Sequence, residues 1–202
     1  MPTNVLILAT KYDRATQKTF KWAQNLQDRL IPYVESCFLL DVTGLCRAGS
    51  TMSDIIDFAT HVIFYGHGEP DWWTALPSNP NAPLIGLGDI HHLHSSEVYA
   101  VCCSSLSGLG TTHGQQSGKN FVGYDQKFRF EFDNEQEFQN VINDSAFNFI
   151  LTGNPAQTVA DLQSAWAQLA NDFGTGPLKL RKNAVMAGSF AHSNGQRIGS
   201  RP

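Results

Sequence analysis

His61-Val62-Ile63-Phe64-Tyr65-Gly66-His67-Gly68 and Glu97-Val98-Tyr99-Ala100-Val101-Cys102-Cys103-Ser104-Ser105 are the stretches on which the fold turns. Each is a short β-branched and aromatic run that ends in a reactive side chain beside small residues. That is how a buried parallel strand reads where it surfaces at the edge of a sheet. In open α/β sheets, ligand-binding and catalytic groups collect at that edge. If the two strands are neighbours, His67 and Cys103 reach one crevice, and an imidazole beside a thiol is the minimum equipment for nucleophilic catalysis by cysteine.

Outward from these stretches, strand and helix patterns alternate. Asn4 to Ala9 reads as a buried strand, and Phe20, Ala23, Leu26 and Leu30 recur at helical spacing behind a polar turn through Asp13. Val34 to Asp41 reads as a second strand in which Cys37 is a small buried hydrophobe. A short helix is expected over Ser53 to Ala59, and a short helical approach over Leu84 to Leu93. This alternation predicts an α/β fold with a mostly parallel sheet, in one domain spanning residues 1–202. Beyond Cys103, Ser104 to Asn120 has little apolar content and many small residues, so a mobile loop is expected. Strands are expected over Phe121 to Tyr124, over the alternating Phe128 to Phe132, and over Ala184 to Ala191, with Asn194 to Pro202 frayed. Phe138, Val141, Ile142 and Phe149 fit one helical face, and Asn154-Pro155 caps and opens a further helix.

The net charge of -4 over 202 residues, with the 14 Lys and Arg scattered, gives no footprint for nucleic acid. No apolar run reaches the roughly 20 residues that span a bilayer, and the N-terminus lacks a signal-peptide pattern. No membrane association and a cytoplasmic location are expected. Four cysteines without a Cys-x-x-Cys pair suggest neither a disulfide scaffold nor zinc, and no cofactor is expected. Within a strand, Cys102 and Cys103 must face opposite sides. Trp72 and Trp73 follow Gly68 closely, where they would either line a substrate groove or cover the sheet edge.

Tyr65-Gly66-His67-Gly68 and Val101-Cys102-Cys103-Ser104-Ser105 together resemble the caspase-hemoglobinase fold of cysteine peptidases, in which one strand ends in His-Gly and the next in the nucleophilic cysteine. Cys103-Ser104-Ser105 is similar to the separase signature, and Leu106 to Gly110, Thr152-Gly153-Asn154-Pro155 and Ala184 to Gly195 are similar to segments of CHAT domains. The resemblance implies a three-layer α-β-α caspase-like fold and an endopeptidase with His67 and Cys103 as catalytic pair. It also implies an oxyanion hole from the backbone N–H groups of Gly68 and Cys103. Cys102 stands where the family has a smaller residue, and the caspase pentapeptide is absent. Asp125, after Phe121-Val122-Gly123-Tyr124, resembles the separase aspartate that holds a basic residue before the scissile bond, which implies cleavage after Arg or Lys.

The expected partners are therefore a protein substrate and a separate activating or targeting protein, in the manner of a bacterial defence or signalling module. A catalytically inactive relative that binds a peptide or protein in the same crevice is the alternative. Gly114 to Lys119 falls one residue short of a phosphate-binding glycine loop, and His91, His92, His94 and His113 lack accompanying carboxylates or thiols for a metal.

Overall fold

The computed structural model describes residues 2–43, 56, 58–74 and 83–202. Most of the helix expected over 53–59, the cysteine at 46 and the stretch 75–82 lie outside them. The described residues form a mixed α/β structure whose main sheet has, among them, six strands in the order β2-β1-β3-β7-β8-β9. These are β1 (Asn4–Ala9), β2 (Ser36–Asp41), β3 (His61–Tyr65), β7 (Glu97–Val101), β8 (Phe121–Tyr124) and β9 (Ile198–Arg201). All neighbours pair in parallel except β8 and β9, which are antiparallel. A second, three-stranded antiparallel sheet consists of β4 (His67–Glu69), β5 (Trp72–Thr74) and β6 (Pro83–Gly86).

The two-residue period of the strands sorts their side chains into two cores. Val5, Ile7, Ile63, Tyr65, Tyr99, Val101, Val122 and Tyr124 face one side. There they meet α1 (Arg14–Leu30), α3 (Glu135–Thr152), α4 (Pro155–Gly174) and α5 (Ala184–Arg197). Leu6, Leu8, Val62, Phe64, Val98, Ala100 and Cys102 face the other side. That face is covered by the small sheet, a 3-10 helix (Leu87–Leu93) and α2 (Leu109–Ser117). The first core also holds a buried polar junction: the Tyr65 hydroxyl donates to Asn143 Oδ1 at 2.8 Å, and Asn143 Nδ2 donates to the Trp22 carbonyl at 2.9 Å. This fastens β3, α1 and α3 together with every partner satisfied.

Four expectations are corrected. Residues 104–120 are no loop, because they contain α2, whose Leu109, Gly110, His113 and Gly114 are buried. Helix α2 packs through its small residues: a Cβ on Gly110 would come within 2.9 Å of the Phe121 ring, and one on Gly114 would collide with the Pro202 backbone. Gly118, at φ 63, ends the helix in the left-handed conformation that glycine adopts at little cost. Ala184 to Ala191 is helical, with Ala184, Ala187, Ala191 and Asn194 buried at helical spacing. The strand lies beyond it, and the C-terminal residues are paired rather than frayed. Phe128 to Phe132 alternates as expected but pairs with no strand among the described residues. Instead Asn194 brackets Arg129, accepting from its N–H at 3.1 Å and donating to its carbonyl at 2.7 Å, as an adjacent strand would.

Candidate active site

β1 leads to β2 on one side and β3 follows on the other, so the sheet order reverses beside β1, and crevices form at such points outside the carboxyl ends of strands. His67 and Cys103 lie just past the ends of β3 and β7, which are direct neighbours, with Tyr65 opposite Val101. Gly66 makes the turn between β3 and β4, where a Cβ would come within 2.6 Å of the Phe64 ring and 2.8 Å of Thr10 Oγ1. The hairpin partner Thr74 then donates its hydroxyl to the His67 carbonyl at 3.1 Å, which fixes the histidine backbone.

His67 and Cys103 line one cavity of about 80 Å³, together with Gly66, Val101, Cys102, Phe128, Phe130 and the first turns of α1 at Ala15, Thr16 and Thr19. At rest each reactive group has its own partner. His67 Nε2 is 2.8 Å from Asp13 Oδ2, and Cys103 Sγ is 3.8 Å from the Phe128 carbonyl oxygen. Among the described residues no hydrogen bond joins His67 to Cys103.

Asp13 was only a turn residue in the sequence, and its position follows from local chemistry. It is the N-cap of α1, accepting at Oδ1 from the Thr16 N–H at 2.8 Å and the Thr16 hydroxyl at 2.9 Å, while the Asp13 N–H donates to Thr16 Oγ1 at 3.0 Å. Oδ2 stays available for the histidine. Burial alone would raise the Asp13 carboxyl, but the Thr16 and His67 hydrogen bonds and the charge of a protonated His67 outweigh it and hold the carboxyl below its ordinary value. Tyr12 lies against the His67 ring with centroids 5.7 Å apart, and burial with the Asp13 charge pushes its phenol up to about 12.

Burial also pushes the Cys103 thiol above its ordinary range. The Phe128 backbone and the charges of Lys127 and Arg129 pull against this, and Glu69 adds to it. Cys102 is in the opposite core, as strand parity requires, and burial raises its thiol well above the titrating range of a reactive cysteine. Gly68 passes over both cysteines, since a Cβ there would meet Cys102 Sγ at 2.7 Å and the Cys103 carbonyl at 2.9 Å. Only a glycine lets β4 run this close to the turn after β7.

The other candidates scatter. Trp73 is fully buried and stacks on Phe64 with centroids 4.4 Å apart, so it covers the sheet rather than lining a groove; Trp72 is half-buried beside it in β5. Asp125 is exposed, its N–H donating to the Arg197 carbonyl at 2.9 Å and its own carbonyl accepting from Ser107 Oγ at 3.1 Å. It lines neither the cavity nor the open groove beside Ser104, whose walls are Ser104, Gln126, Lys127, Arg129 and Ser193. Lys127 and Arg129 were not singled out in the sequence, although the alternation through Phe128 and Phe130 contained the signal that they face away from the core. Of the histidines, His113 is buried with Nε2 3.1 Å from the Leu93 carbonyl, and no group of three metal-ligating side chains occurs among the described residues. No protein-family model and no curated protein matches this sequence.

Proposed function

We propose that the chain is a cysteine endopeptidase of the caspase-hemoglobinase type that cleaves a protein substrate with Cys103 as nucleophile and His67 as general base and acid. The observation that carries this reading is that the two residues line one cavity past the ends of adjacent parallel strands. With Nε2–H donated to Asp13, the His67 ring presents Nδ1 as the nitrogen that takes the thiol proton. The Cys103 proton passes to that nitrogen as sulfur bonds to the substrate carbonyl carbon, and the same proton then goes to the departing amine. Water hydrolyses the resulting thioester and regenerates the thiol. The Gly68 and Cys103 N–H groups are the proposed donors to the oxyanion. Asp13 acts as a positioning residue, holding the ring and its tautomer.

A thiol whose titration is raised by burial is protonated at neutral pH, which fits a resting form that a separate activating protein switches on. The same observation favours the second reading, an inactive relative that binds a peptide in this crevice. A cleavage profile on a peptide library, with wild type, Cys103→Ala and His67→Ala in parallel, tests the first reading. Cleavage by wild type alone supports it, and equal cleavage by either variant would sink it. The two readings part on alkylation. In the resting protein, iodoacetamide modification of Cys103 is expected to rise with pH along a curve displaced above that of a free thiol, whose pKa is about 8.5. A peptidase shifts that curve downward when its activator is added, and a binding module leaves it in place.

A further inference from the structure

The cavity beside Cys103 and His67 is walled mostly by groups without charge. Ala15 lines it from the first turn of α1, and the two threonines beyond have already given their hydroxyl protons: Thr16 Oγ1 donates to Asp13 Oδ1 at 2.9 Å, and Thr19 Oγ1 to the Thr16 carbonyl at 3.3 Å. Phe128 and Phe130 line it from the segment after β8. Both rings are anchored by neighbours outside the cavity, Phe128 against Tyr124 with centroids 5.0 Å apart and Phe130 against Trp22 at 4.8 Å. The width of the cavity is therefore set by packed groups and not by mobile chains.

No carboxylate, lysine or arginine lines the cavity among the described residues. Lys127 and Arg129 alternate with the two phenylalanines and so face a different space, the open groove beside Ser104. The two reactive groups are themselves only partly buried, so the cavity is reached from the side on which the chemistry takes place.

We infer that this cavity receives the side chain of the residue whose carbonyl Cys103 attacks, and that it selects a small branched apolar one, valine above all, in place of the basic residue that Asp125 led one to expect. This rests on the proposed peptidase site. The α-carbon of that residue is bonded directly to the attacked carbon, so its side chain must enter the space that borders the sulfur. An apolar cavity of roughly 150 Å³ holds a benzene ring, so one of about 80 Å³ has room for about half as many carbons. Valine fills it. Alanine leaves part of it empty, leucine exceeds it by a carbon, and phenylalanine exceeds it by far. A lysine or aspartate would lose its water there and find no opposite charge.

The test is protection of Cys103 in the full chain from iodoacetamide by otherwise identical acetyl-tripeptide aldehydes ending in Val, Ala, Leu, Phe, Lys or Asp. Each aldehyde carbon bonds to sulfur, and the thiol proton ends on the hemithioacetal oxygen. In wild type the valine aldehyde is expected to protect at concentrations about tenfold below the alanine aldehyde, the usual discrimination for one or two carbons in an apolar pocket, and lower still against the charged ones. Two variants of opposite sign assign that order to the cavity. Thr19→Ala widens it and is expected to move the preference to leucine, while Ala15→Val narrows it and is expected to move the preference to alanine; a thermal melt identifies which variants are folded. Protection of wild type led by any aldehyde other than valine's overturns the inference and leaves the peptidase site standing, as does a valine preference unchanged in a folded variant. No protection by any aldehyde removes the peptidase site, and this inference with it.

Discussion

Asp13 does two jobs with its two oxygens, and substitutions separate them. Asp13→Ala removes both the cap and the histidine partner, and is expected to cost about 1 kcal/mol of stability, the usual worth of such a cap. Asp13→Asn keeps a capping oxygen for Thr16 but turns an amide Nδ2 donor toward His67, so the ring loses both the charge and the acceptor that holds its Nε2–H. Its stability should stay near wild type at neutral pH while its activity falls. Chemical denaturation and turnover measured side by side check this, and full activity in Asp13→Asn would remove the positioning role. The sign with pH follows from the lowered carboxyl. A group held below its unfolded value stabilises the fold above about pH 3.9 and loses that stabilisation as pH falls through the lowered value. The Asp13→Asn variant should therefore lose less stability than wild type between pH 5 and pH 2. The side chain is 42% exposed, so the margin is small. Gly68→Ala is expected to be harsher. Its methyl would press on Cys102 Sγ and the Cys103 carbonyl, displacing backbone at the nucleophile, and overpacking of this kind costs roughly 1–3 kcal/mol. The melting temperature checks the stability cost, and slowed alkylation of Cys103 the displacement.

At the scale of elements, what could be read in the sequence depended on which force decides each one. Strands β1, β3 and β7 are buried on both faces, and their unbroken β-branched and aromatic runs announced them. Helix α4 announced itself through Asn154, which accepts from the Gln157 N–H at 3.1 Å, and through Pro155 after it. Helices α2 and α5 were missed because they pack by closeness of approach rather than by bulk. In α5 a Cβ on Gly188 would lie 3.2 Å from Phe173 Cβ, and one on Gly195 would lie 3.0 Å from Trp166 Cβ. A seam of Ala and Gly against α4 gives a weak hydropathy signal and a short apolar run that reads equally well as a strand. The position of Asp13 beside His67 was invisible for another reason: it is a contact between residues 54 apart in sequence, set by the reversal of strand order. Because α2 is packed, the chain from 109 to 117 should resist limited proteolysis in the resting protein. Gly110→Ala, which drives a methyl toward Phe121, should open that segment to cleavage; equal resistance in the variant would show that the close packing is dispensable.

For the whole molecule, the final strand closes the sheet on the side where the catalytic turn is braced. β9 pairs antiparallel with β8, placing Ile198 opposite Tyr124, while the Gly199 Cα approaches Leu106 so closely that a Cβ would lie 2.9 Å from it. Leu106 in turn donates its N–H to the Tyr124 carbonyl at 3.0 Å, in the turn that follows Cys103. Removing residues 198–202 would leave β8 as a bare apolar edge and uncover Gly114 and Leu106 together. Burial of the Ile198 side chain alone accounts for roughly 2 kcal/mol, and the unpaired edge adds a surface on which copies can associate. The truncated chain is expected to melt several degrees lower, by the usual conversion of such a loss in a domain of this size, and to scatter light at concentrations where the full chain is clear. Its Cys103 should also react faster with iodoacetamide, because the turn carrying the thiol loses its brace. An unchanged melting temperature with unchanged thiol reactivity would mean that β9 is an ornament on a sheet complete without it.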